Sequence, residues 1–126
     1  MKYKKFEDIP IWQVSIKFTS DIYKTVDVNL KLKKEYSLCD QLKRATYSIP
    51  LNIAEGFERS SNKEFANFIN IAKGSAGEVR TILHLLLNNN YLEQKNFDFL
   101  YTDIQKISSQ LSKFRMYLLD TLHYKK

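Results

Sequence analysis

The sequence predicts an all-α fold, an up-down-up-down four-helix bundle that assembles with copies of itself. Two observations carry the fold class. Glycine and proline number only 3 and 2 among 126 residues, too few for the turns that a β-sandwich or barrel needs about every 8–12 residues. Apolar residues recur at spacings of three and four through most of the chain, the period of a helix with one buried face. A mass of 14.9 kDa, 44% hydrophobic and 27% charged residues suit one ordinary globular domain, spanning 1–126.

The first helix is expected over 10–27. Asp8 ahead of Pro10 marks its start, because proline suits the first helical turn. Trp12, Ile16, Thr19, Tyr23 and Val26 share one face. Asp27 to Lys31 reads as a basic, irregular loop.

The second helix is expected over 36–57. Leu38, Leu42, Ala45, Ile49 and Ile53 form its core stripe. Pro50 lies inside, where it removes one hydrogen bond and crowds the preceding turn, so a kink is expected there. The helix runs to Gly56 or Phe57, with Gly56 a residue suited to a helix end.

The third helix is expected over 62–88, with Ser61 or Ser60 as cap and Glu64 at the capping-box position three residues beyond Ser61. Phe65, Phe68, Ile69, Ala72, Ala76, Val79, Leu83 and Leu86 give its core face. Asn88, Asn89 and Asn90 end it, since asparagine tolerates left-handed backbone. Gly74 and Gly77 each cost about 1 kcal/mol relative to alanine, which predicts a close approach by another helix or, as the alternative, by a ligand pressed against bare backbone. The fourth helix is expected over 94–122. Phe97, Leu100, Ile104, Ile107, Leu111, Phe114, Leu118 and Leu122 keep a near-heptad period. Helices joined by short connections pack most simply as a bundle.

The second helix carries more than a core face. At about 100° per residue, Gln41, Arg44, Ser48, Asn52, Glu55 and Arg59 fall within roughly 80° of one another. Tyr47, Leu51 and Ala54 lie opposite the core, where a lone bundle would place charges. A helix apolar on two sides is buried twice. Gln41, Arg44, Tyr47, Ser48, Leu51, Asn52, Glu55 and Arg59 are therefore the candidate subunit interface.

Most catalytic chemistries are absent from the pattern. One cysteine, Cys39, leaves no internal disulfide and no Cys-based zinc site. No glutamate has a histidine three residues later, as a di-iron bundle requires. No phosphate-binding glycine loop is present. Helical HEPN-type ribonucleases place four to six residues between an arginine and a histidine; Arg80 and His84 have three. We expect no enzyme, no cofactor and no metal. No run of apolar residues is long enough to span a bilayer. The lone cysteine and the absence of an export signal point to the cytoplasm.

The run from Gln41 to Gly56, read as QLKRATYSIPLNIAEG, resembles the signature of the 23S rRNA-intervening-sequence proteins. Trp12-Gln13, Tyr23, Arg59-Ser60, Glu64-Phe65, Ala72-Lys73-Gly74-Ser75 and Glu78 extend the likeness. Lys43 stands where arginine is usual, and Ser37 where glycine is common. The resemblance implies a four-helix bundle in a ring-like homopentamer. It also implies kinship with the accessory proteins of diversity-generating retroelements, basic barrels that engage nucleic acid and a reverse transcriptase. It carries over no catalytic residue.

The chain has 20 Lys+Arg against 14 Asp+Glu, a net +6 and a pI near 9.3, which suits a polyanionic partner. With the resemblance, this gives an expected role: a non-enzymatic oligomer that holds RNA or DNA by backbone charge rather than base readout. Candidate phosphate contacts are Lys43, Arg44, Arg59, Lys63, Lys73 and Arg80. An adaptor that binds another protein and no nucleic acid is the alternative, and a ribonuclease using Arg80 and His84 is the third.

Overall fold

The computed structural model describes residues 2–124, and residues 121–124 as helical backbone only. The side chain of Leu122, expected to close the last core stripe, lies outside the described residues. After a 3₁₀ turn at Phe6–Asp8 come α1 (Pro10–Val28), α2 (Leu30–Lys33), α3 (Tyr36–Phe57), α4 (Asn62–Asn88) and α5 (Gln94–Tyr124). No strand occurs among the described residues.

The four long helices form a closed circuit. α1 packs on α3, α3 on α4, α4 on α5, and α5 back on α1. Between α3 and α4, and between α4 and α5, the contacts run in opposite sequence directions. The start of α4 at Phe65 meets the end of α3 at Gly56, while Ser75 meets Ser48 further back. Phe65 likewise meets Phe114 late in α5, whereas His84 meets Phe97 near its start. The core lies along the middle of this circuit. Leu42, Ile49, Ile53, Ile69, Leu83, Leu100, Ile104 and Leu111 are closed to solvent.

The start of α1 differs from expectation. Asp8 sits in the 3₁₀ turn, and Ile9 is the residue before the helix, with no side-chain cap. Pro10 at the first position has no N–H to satisfy, so a capping side chain matters less. The buried face of α1 is also rotated by about one residue, roughly 100°. Ile11, Ser15, Phe18, Ile22 and Val26 are buried, while Ile16 and Tyr23 are 40% and 42% exposed. Both registers have helical period, and Ser15 disguised the true one. Its hydroxyl donates to the Trp12 carbonyl at 2.8 Å, so it is buried without an unmade hydrogen bond.

The expected loop after α1 is instead capped helix. Asn29 Oδ1 accepts from the Leu32 N–H at 2.9 Å, and its Nδ2 donates to the Tyr91 carbonyl at 2.7 Å. Lys31 Nζ donates to the Asn90 carbonyl. Leu32 is fully buried. The segment thus ties the end of α1 to the α4–α5 connection.

α3 runs unbroken through Pro50. It ends at Phe57, as expected, but Gly56 is not its terminator, since no glycine has positive φ. A Cβ at Gly56 would lie 2.7 Å from Phe65 Cδ1 and 2.7 Å from Phe68 Cβ. The glycine therefore serves close approach of α4 rather than termination.

Ser61 caps α4, its Oγ accepting from the Glu64 N–H at 3.1 Å. The return half of the capping box is absent. The Glu64 carboxylate accepts instead from the Ser60 and Ser61 hydroxyls. Asn90 closes the far end with φ 62°, the left-handed conformation expected of that asparagine run.

Candidate nucleic-acid and subunit interface

The outer wall of the α3–α4 pair begins with a small polar cluster. Ser48 Oγ lies 3.0 Å from Ser75 Oγ, joining the two helices. Asn52 Nδ2 donates to both the carbonyl and the hydroxyl of Ser48 at 2.8 and 2.9 Å. Ser48 and Asn52, two of the candidate interface residues, thus make hydrogen bonds within their own chain. Their partner Ser75 was not read as functional from sequence. A serine on the same helix face as the core, at a spacing of three from Ala72, was the available signal.

Around this cluster the candidate interface residues stand at the surface. Arg44 Nε pairs with Asp40 at 2.9 Å, and Arg59 pairs with Glu55 at 2.7 Å. Both pairs are spaced four residues apart and are solvated, which makes each a weak contributor to stability. The Arg59 guanidinium also lies 4.8 Å from the Phe68 ring centroid. Gln41 and Tyr47 are exposed. Leu51 is 61% exposed, and Ile71 on α4 is 51% exposed. Ile71 follows no core period, and its outward position was missed in the sequence.

Gly74 and Gly77 also differ from expectation. Nothing lies within 4 Å of a Cβ built at either position. No helix of the same chain approaches them, because the core face of α4 is Ala72, Ala76 and Val79. The two glycines leave bare backbone on the outer side.

The basic candidates separate into two groups. Arg44 and Arg59 are paired with carboxylates, as above. Lys43, Lys63, Lys73 and Arg80 belong to no ion pair among the described residues. Lys43 Nζ instead lies 5.0 Å from the Tyr23 ring centroid. Lys63 and Lys73 are exposed along α4. These cations are distributed over α3 and α4 and do not converge on one point.

Arg80 and His84 share an aromatic neighbour. Arg80 Nε donates to the Tyr101 hydroxyl at 3.4 Å, and its guanidinium is 5.7 Å from that ring. The His84 ring meets Tyr101 edge-on at 4.8 Å and Phe97 at 5.1 Å. This arrangement fastens α4 to α5. Cys39 is buried, and its thiol donates to the Leu32 carbonyl at 3.0 Å. Burial pushes the thiol pKa up, with Lys43 pulling it down by a smaller amount; less thiolate forms as a result. Among the described residues no cluster of His, Cys, Asp and Glu fits a metal ion. Among the same residues no helix is long and apolar enough to cross a membrane.

The model of the 23S rRNA-intervening sequence protein family matches residues 7–113. Among solved structures, the chain is similar to a protein of unknown function from the S23 ribosomal protein family of Bacteroides thetaiotaomicron VPI-5482, a crystal structure at 1.70 Å resolution. Sequence identity is 26% and the TM-score 0.78, covering 83% of this chain and 97% of that one. No curated protein matches.

Proposed function

The chain belongs to the 23S rRNA-intervening sequence protein family, and on that basis we propose that it is a non-enzymatic homo-oligomer that binds the backbone of RNA or DNA. The observation that carries this reading is the set of unpaired cations on α3 and α4. Lys43, Lys63, Lys73 and Arg80 have no carboxylate partner among the described residues, in a chain with net charge +6. Unpaired cations are free to displace counterions from phosphates. Arg44 and Arg59 join them by exchanging an exposed carboxylate for a phosphate.

The bundle is read as up-down-up-down, with α3 bent at Pro50 where one hydrogen bond is lost. Five copies form a ring through the outer wall of α3, where Leu51 and Tyr47 offer apolar surface and Gly74 on α4 offers close approach. The protein works in the cytoplasm, a reading that its buried, unbridged Cys39 supports.

Salt dependence tests the nucleic-acid role. Binding of a labelled RNA or DNA strand is measured by fluorescence anisotropy from about 50 to 200 mM salt. The expected result is an affinity that falls at least tenfold across that range, roughly what a few phosphate contacts release. Replacing Lys63 and Lys73 with alanine lowers the slope of log affinity against log salt by about 2. No binding of either nucleic acid at low salt contradicts the role and favours a protein partner.

A further inference from the structure

A cleft opens where the end of α1, α2 and the start of α3 meet, with a volume of about 740 Å³. That size suits a small organic ligand. Tyr23 and Tyr36 both line it. Tyr36 is the first residue of α3 and is 78% exposed, although most large rings of this chain serve the core. A tyrosine in that position buries almost nothing and offers a free ring face. Ring faces of this kind are stacking platforms for unpaired bases.

The charge in the cleft complements a phosphate. Lys24, Lys33 and Lys43 line it, together with Asp27 and Asp40. Each carboxylate already has a cation: Asp27 lies 3.4 Å from Lys33 Nζ, and Asp40 lies 2.9 Å from Arg44 Nε. Lys24 and Lys43 are left without a carboxylate partner among the described residues. Lys43 Nζ sits over the Tyr23 ring, 5.0 Å from its centroid, so that face is taken by the cation and Tyr36 is the open ring of the same cleft. Cations and an open ring lining one cleft match a nucleotide, whose base and phosphate are themselves adjacent.

We propose that this cleft holds a nucleotide of a single strand, with the base stacked on Tyr36 and the adjoining phosphate held by Lys24 and Lys43. The inference rests on the nucleic-acid role proposed above and gives it a place and a strand preference. A duplex keeps its base faces stacked inside and cannot use the tyrosines; it reaches only the cations.

The test compares a labelled oligouridine strand with a labelled duplex, titrated by anisotropy against the full chain at low salt. Tyr36→Ala is expected to weaken single-strand binding by at least about fivefold, the lower end for loss of one stacked base. Duplex binding should change less than about twofold, and Tyr36→Trp should restore the single strand, since any aromatic face stacks. Lys73→Ala, a charge away from the cleft, should weaken both ligands alike. Far-UV circular dichroism checks that the variants remain helical. Single-strand binding unaffected by Tyr36→Ala, or an equal loss on both ligands, overturns the cleft and leaves the general role standing. So does a wild-type protein that binds duplex alone. A wild-type protein that binds neither ligand overturns both.

Discussion

At Gly56 a methyl group would meet Phe65 Cδ1 and Phe68 Cβ, each 2.7 Å away. Helix propensity favours alanine over glycine by about 1 kcal/mol. Overpacking costs about 1–3 kcal/mol, so the steric cost wins. Gly56→Ala is expected to lower stability by about 1 kcal/mol, read as an earlier midpoint in urea denaturation. A later midpoint would mean that α4 yields at this point. The position was misread in the sequence because its reason comes from another helix. A glycine near a helix end has a local explanation at hand, and nothing local reveals Phe65 and Phe68 overhead. Ser15 was misread for a different reason: its hydroxyl bonds the Trp12 carbonyl one turn back in the same helix, which lets a polar side chain take a core position. Tyr36 and Tyr23 were hidden for the opposite reason. Rings are usually core, and only packing shows which ones are left out.

At the scale of elements, α3, α4 and α5 were legible because their apolar stripes have one register each. Ile49, Ile53, Ile69, Leu83, Ile104 and Leu111 are all buried at the positions that periodicity assigns. α1 has two stripes of helical period, so periodicity alone could not choose between them. α2 is four residues long, too short for any periodic signal; its cap, Asn29, was the one local clue. The outer side of α4 remains the element with an unused feature. Gly74 sits in open space, so a larger side chain meets nothing in its own chain and improves helix propensity by about 1 kcal/mol. Gly74→Leu should therefore keep its far-UV circular dichroism spectrum. If another copy approaches this backbone, as proposed, the same variant should sediment as smaller species than the wild type. Unchanged assembly would place the interface elsewhere.

For the whole molecule, the circuit of four long helices explains how one sequence presents two kinds of surface. Each helix buries one stripe in the common core, so whatever lies on its far side must face solvent or a partner. On α3 and α4 exposed Leu51 and Ile71 stand with Arg44, Lys63 and Lys73, and Arg59 follows in the connection between the two helices. The four-helix pattern and the sites of the cations could be read from the chain. The pairing of Arg44 and Arg59 was legible too, since Asp40 and Glu55 stand four residues before them; the contact of Lys43 with the Tyr23 ring was not, because it crosses between helices. The claim beneath the proposed assembly is that α3 is covered on both sides, by its own bundle and by a neighbouring copy. Sedimentation velocity of the full chain tests this most directly. A single species with the mass of five 14.9 kDa chains is predicted; a lone 14.9 kDa species at all concentrations would contradict it.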